Sequence, residues 1–414
     1  MTETATPETP TAPGVPAFPL SRAAGCPFDP PPRYAELREE APVSPVRLWN
    51  GSVAWLLTRY EDQRAVLADP RFSSDTTRPG YPAQSAGVQA RRDPAHLPFI
   101  VQDGADHQRQ RRMFTAHFTV RRIAAMRPRI QEVIDRLLDA MEAAGPPADL
   151  VSAFALPMPS LVISELLGVP HRDHALFQRA ARTLVTLGST PEESRAASRE
   201  LAGYLDDLIT VKDRNPADDL LSTLIVERVR TGELERRLLV ENAMLLLSAG
   251  HETTANMTAL GTLALLHHPG QLAAVRDGDD PARVAHAVEE LLRYLTITHS
   301  GRRRVAVEDV EIAGTLIRAG EGVVLANDAA NRDGAVFPDP DRLDIDRPEV
   351  RRHMAFGHGA HQCLGQNLAR AELQLAYPAL LRRFPRLRTT VPDSELRFKE
   401  DMLVYGVHEL PVTW

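Results

Sequence analysis

The stretch from Leu234 to about His268 sets the strongest constraint on this chain. At ~1.5 Å per residue it makes a helix ~50 Å long, about the width of a whole domain. Leu238, Leu239, Met244, Leu245, Leu246, Leu247, Leu260, Leu263, Leu265 and Leu266 leave it apolar on most faces. A helix apolar all round is buried, so the rest of the chain must wrap it. In its middle stands Ala249-Gly250-His251-Glu252-Thr253-Thr254. A carboxylate and β-branched alcohols beside glycine are poor choices for a buried helix, and such local violations are where function is expected. The zincin pattern His-Glu-x-x-His fails, because Ala255 holds its last position. A back-bonded threonine is the ordinary structural alternative.

A second irregular stretch is Phe356-Gly357-His358-Gly359-Ala360-His361-Gln362-Cys363-Leu364-Gly365, followed by a strong helix former from Gln366 to Leu373. Glycines let backbone approach a large flat ligand and turn N–H groups toward the sulfur. A cysteine at the mouth of a helix sits in the field of unpaired amides, which favours its thiolate. Other readings of the loop fall away. Gly-x-Gly-x-x-Gly would need a glycine at Gln362, and Cys-x-x-Cys-His is absent. His358, His361 and Cys363 lack a fourth zinc ligand at any usual spacing. A buried structural cysteine is the bland alternative. The only other cysteine, Cys26, forms no disulfide framework with it and reads as a free thiol without a role, a pattern that suits a reducing cytoplasm.

Elsewhere the pattern predicts short elements. A helix is expected over 31–40, a hairpin over 43–58 turning at Asn50-Gly51, and a helix over 60–69. A long loop, Arg71 to Gln102, follows, and then a helix over 103–119 in which His107 and Arg111 share one face. Two donors on one face suit a carboxylate, although an exposed basic face reads the same way. Helices are expected over 120–144, 156–167, 171–187, 192–214 and 218–230. Another, over 285–295, carries Glu290 and Arg293 on one face. Strands surround Ala313-Gly314 and occupy 323–326, and short strands fill 391–414. Arg347, Arg351, Arg352 and His353 form a basic cluster or a solvated run. Residues 1–20 read as a disordered tail and 21–414 as one domain, with no signal peptide. Net charge is −7, which supplies no basic field for nucleic acid, and no stretch of ~20 apolar residues spans a membrane.

The cysteine stretch fills every fixed position of Phe-Gly-x-Gly-x-His-x-Cys-x-Gly, and so resembles the heme-binding loop of the cytochrome P-450 family, in its soluble actinobacterial type. Glu252-Thr253, Glu290-x-x-Arg293 and His107-x-x-x-Arg111 occur in that family's order. The resemblance implies the cytochrome P-450 fold: mainly α with a smaller β region, a triangular single domain with a long central helix across the heme. Cys363 would be the axial ligand of heme b, with Gly357 in the loop and Phe356 shielding the sulfur. His107, Arg111, Arg304 and His361 would meet the propionates, with Arg302 as the alternative to Arg304. Glu252 and Thr253 would relay protons. Glu290, Arg293 and Arg342 would form a buried ion cluster behind the heme, Arg342 being drawn from Pro340-Asp341-Arg342-Leu343.

The implied activity is insertion of one oxygen atom of O2 into a small apolar organic substrate, most simply hydroxylation in secondary metabolism or xenobiotic oxidation. Electrons derived from NAD(P)H would arrive through ferredoxin and ferredoxin reductase to a cytoplasmic monomer. The basic cluster at 347–353 would dock the donor. The 71–102 loop would roof the substrate pocket, the 171–187 and 192–214 pair would form a lid, and Thr296 to Ser300, Met402 and Leu403 would lie near substrate. A peroxide-driven peroxygenase and a non-catalytic heme-thiolate sensor are the competing classes. The intact Glu252-Thr253 pair and the lack of an effector domain weigh against them.

Overall fold

The computed structural model describes residues 14–23, 25–278 and 280–414. Its axis is the helix Arg236–His267, the central helix, buried along most of its length. The buried alcohols and amide in it are satisfied one turn back: Thr258 donates to the Thr254 carbonyl, Thr262 to that of Thr258 and Asn256 to that of Glu252, each at 2.8 Å. This is how an interior helix carries polar side chains without orphaned groups.

Helices Pro157–Leu167, Pro191–Arg214 and Gln366–Arg383 pack against it. The last, the cysteine helix, approaches closely. A Cβ at Gly261 would lie 2.0 Å from the Tyr377 hydroxyl, which donates to the Met257 carbonyl at 2.6 Å. Helix Val120–Ala144 covers the other side of the cysteine helix.

A smaller sheet region lies to one side. Its strands are β1 Val43–Arg47, β2 Val53–Leu57, β3 Phe72–Ser73, β4 Arg302–Ala306 and β5 Gly322–Leu325, in spatial order β1-β2-β5-β4-β3. The expected hairpin turns at Gly51, whose φ of +82° only glycine adopts freely. Strand β4 sits between β5 and β3, with Arg304 opposite Val323. Alternation places Arg302 and Arg304 on one face and Arg303 on the other. Arg303 donates to the carbonyls of Ser300 and Pro82.

Two expectations change. Residues 1–13 of the expected tail lie outside the described residues, but its end is built into the fold: Phe18 is buried, and its N–H donates to the Arg47 carbonyl at 2.9 Å. The long 71–102 loop also has structure of its own, including β3 and a short helix Ala86–Ala90. That short helix presses on the pair His174–Val185 and Pro191–Arg214. A Cβ at Gly87 would lie 2.3 Å from Ser194 Oγ, Arg91 donates to the Leu184 carbonyl at 3.1 Å, and Arg195 to that of Ala90 at 3.3 Å.

Candidate active site

The cysteine loop is a set of tight turns. Gly357 and Gly359 adopt φ +75° and +71°, and the Cys363 N–H donates to the Phe356 carbonyl at 2.8 Å. A Cβ at Gly359 would lie 2.4 Å from the Leu67 carbonyl oxygen, and one at Gly357 would touch the Arg302 guanidinium at 3.0 Å. Glycine is therefore favoured at both positions by conformation, and at Gly359 required by space as well. Cys363 faces a cavity of about 290 Å³ whose walls are mostly apolar, including Phe99, Ile163, Leu246, Ile297, Leu368 and Ala249. Burial pushes the Cys363 thiol up, while the Arg302 guanidinium, the Gly365 amide, Arg111 and Arg370 pull against that.

Behind the sulfur, the Arg370 guanidinium lies 4.5 Å from the centre of the Phe356 ring. Glu289 accepts from Arg370 at 2.6 and 2.9 Å and from His353 at 2.9 Å. Burial raises the Glu289 carboxyl, but the His353 and Arg370 hydrogen bonds and charges overcome it and hold it down at about 2.

One edge of the cavity is cationic. Arg302 and Arg111 supply the charge, and a neutral His361 lines the edge beside them. His107 stacks on His361 with ring centres 4.0 Å apart. Arg304 stands behind, donating to the Arg303 carbonyl at 2.7 Å. Burial, with Arg304 and His107 adding to it, pushes the His361 imidazole down to about 3. His107 Nε2, His361 Nδ1 and Arg302 Nε are buried without a hydrogen-bond partner. Orphaned buried donors of this kind ask for a ligand acceptor. The set as a whole fits a flat apolar group that brings a thiolate-seeking metal to Cys363 and carboxylates to this edge.

The opposite wall is the central helix. Ala249, Gly250, Thr253 and Thr254 line the cavity, and the Thr253 hydroxyl donates to the Ala249 carbonyl at 2.6 Å. The helices pack closely at Gly250, where a Cβ would meet Ile163 at 3.1 Å. Glu252 turns elsewhere and pairs with Lys399 at 3.5 Å. Helix Pro281–Leu295 ends at Thr296, held at φ +32°, where Asn331 donates to its hydroxyl at 2.8 Å. That strained turn delivers Ile297 and Thr298 into the cavity. Met402 and Leu403 do not line it; their carbonyls accept from His299 at 2.7 Å and Ser300 at 3.1 Å.

The ion cluster forms with one correction. Arg293 Nε and Nη2 reach the two oxygens of Glu290 at 2.7 and 2.8 Å. Its remaining N–H groups go to the carbonyls of Asn331, Pro340 and Arg342. Fully donated, the buried guanidinium meets the condition under which such a pair is tolerated. The third member is Arg347, whose Nε lies 3.2 Å from Glu290 Oε1, and not Arg342. The chain turns at Asp339, with φ +46°, so that Arg342 offers its carbonyl inward and its side chain to solvent. Arg347 and His353 are thereby withdrawn from the expected docking cluster, which leaves Arg351 and Arg352 exposed.

Sequence reading missed Glu372 and Thr254. Glu372 lines the cavity, is bonded by the Thr254 hydroxyl and leaves Oε2 unpartnered; burial pushes its carboxyl up to about 8. The available signal was its place four residues after Leu368, on the cavity face of the cysteine helix.

The family description Cytochrome P450 matches residues 284–408, which include the cysteine loop. Cytochrome P450-SU2 of Streptomyces griseolus is 53% identical over 396 residues, covering 96% of each chain. A vitamin D3 dihydroxylase of the same organism is 50% identical over 416 residues, covering 100% of each. The crystal structure of the mycinamicin VIII C21 methyl hydroxylase MycCI from Micromonospora griseorubida superposes with a TM-score of 0.90 at 41% identity, covering 97% of this chain and 100% of that one. With likeness of this extent added to the thiol-floored cavity, the chain belongs to the cytochrome P450 family, oxygen-incorporating oxidoreductases that use heme b and NAD(P)H-derived electrons.

Proposed function

We propose that this P450 hydroxylates a small, largely apolar organic molecule, with electrons passed from ferredoxin reductase through ferredoxin. The observation that carries the reading is one cavity with a thiol on its floor, cations at one edge and apolar side chains around Thr253. Cys363 would hold the heme iron, and His107, Arg111, His361 and Arg302 or Arg304 its carboxylates; of the two arginines, Arg302 lines the cavity, which favours it. Bound heme supplies oxygen activation, because a thiolate ligand pushes electron density toward O–O cleavage.

The chain's own residues do the rest. Phe356 and Arg370 shield and polarise the far side of the sulfur. Thr253 presents a hydroxyl to the cavity, and Glu252 beside it is the carboxylate that takes up and hands on replacement protons. Ile297, Phe99 and Leu246 orient substrate by apolar contact and exclude water. The relatives' names, a vitamin D3 dihydroxylase and a mycinamicin VIII C21 methyl hydroxylase, support hydroxylation as the reaction. Exposed Arg351 and Arg352 would meet an acidic electron donor.

The test is the carbon-monoxide difference spectrum of the reduced protein, followed by 7-ethoxycoumarin turnover with NADPH, a plant-type ferredoxin and its reductase. The expected result is a red-shifted Soret band that Cys363→Ala abolishes, with product formed per NADPH. Heme bound with the same spectrum in Cys363→Ala would overturn the ligand assignment, and turnover with peroxide alone would point to a peroxygenase.

A further inference from the structure

The acid beside Thr253 has a partner from the far end of the chain. Lys399 and Glu252 are 7% and 4% exposed, their charged atoms are 3.5 Å apart, and this is the only ion pair that Glu252 makes among the described residues. Lys399 is held in place by its own backbone: its N–H donates to the Gly406 carbonyl at 2.8 Å, and Phe398 pairs with Val407. The loop so closed is pressed onto the central helix, where a Cβ at Gly406 would lie 2.0 Å from Asn256 Oδ1. On its other side the loop is strapped to the link between the helices His174–Val185 and Pro191–Arg214. Leu403 N–H donates to the Val185 carbonyl at 2.8 Å, Leu187 N–H to that of Asp401 at 2.9 Å, and Thr186 pairs with Met402.

We propose that Lys399 is a positioning residue for the reaction: its ammonium, carried on a loop strapped to the covering helix pair, fixes the Glu252 carboxylate as an anion one residue from Thr253. The proposal rests on the reading of Glu252 and Thr253 as the proton-handling pair. Its physical basis is that a buried carboxylate without a cation is too poorly solvated to stay charged. Displacing the helix pair would pull on the same loop, so the geometry at Glu252 depends on the cover being in place.

Infrared difference spectroscopy and turnover test it on the heme-loaded protein. Lys399→Met should show a protonated-carboxyl stretch at neutral pH in addition to that of Glu372, and this added band should be absent from the parent and from the Lys399→Met/Glu252→Gln double variant. With 7-ethoxycoumarin as probe, kcat should fall on the order of tenfold with KM little changed, less than the hundredfold or more that outright loss of a general acid costs. Lys399→Arg should remove the new band and restore kcat. If Lys399→Met does not load heme, Lys399→Gln is read in the same way. A loaded variant with no new band and the parent's kcat overturns the proposal. Glu252→Gln with unchanged kcat overturns instead the reading of the proton-handling pair, and the band in Lys399→Met still reports on the pairing.

Discussion

At the scale of single residues, the site depends on buried charges whose partners can be named. Arg347 completes the Glu290–Arg293 cluster, whereas Arg342 contributes only a carbonyl. Arg347→Ala should therefore cost about 3–5 kcal/mol, the usual result of stripping one partner from a buried pair, and Arg342→Ala no more than ~0.5 kcal/mol. Chemical unfolding of the two variants checks the contrast. Glu372 gives a pH test of opposite sign to an ordinary paired carboxylate. Burial raises its folded value to about 8 from 4.5, so between those values the folded chain binds the extra proton. Stability contributed by this group is present below about 4.5 and drains away as pH rises through 8. Glu372→Gln should flatten that decline, gaining on the parent as pH rises from 5 to 9 in unfolding midpoints; a parallel pair of curves would refute it.

At the scale of elements, what decided legibility was whether the signal was local. The central helix announced itself by apolar run length, the β1–β2 turn by Asn50-Gly51 and the cysteine loop by its glycines, because each requires particular residue types at adjacent positions. The third member of the ion cluster was misread because Pro340-Asp341-Arg342 matches by type, while the turn at Asp339 that reverses the side chain has no clear local mark. Glu372 was missed because a glutamate in a helix is ordinary until its neighbours are known, and Lys399 because its partner lies 147 positions away. The glycine loop itself allows a sharp prediction. Gly359→Ala combines a positive φ with a methyl group 2.4 Å from the Leu67 carbonyl. A loss of about 1–3 kcal/mol is expected from the strain alone. Heme retained on gel filtration should drop accordingly, while Gly145→Ala, at φ +76° with nothing nearby, should keep its heme.

At the scale of the molecule, the short helix at 86–90 is locked to the helix pair His174–Val185 and Pro191–Arg214. Arg351 and Arg352 stay exposed against a net charge of −7 for the whole chain. Arg351→Glu/Arg352→Glu should slow first-electron transfer from ferredoxin on the order of tenfold at low salt, and high salt should narrow the gap, as for a steered encounter. Stopped-flow reduction under carbon monoxide reads both, and rates equal to the parent at low salt would remove these arginines from the docking face.

Tyr377 reaches from the cysteine helix to the central helix, its hydroxyl tied to Met257 and its ring end seated on Gly261 without clearance. It acts as a spacer that sets the gauge between the two faces of the cavity, much as a shim fixes a jaw opening. The separation between the helix that follows Cys363 and the helix that carries Thr253 is thus held by a phenol remote from both residues.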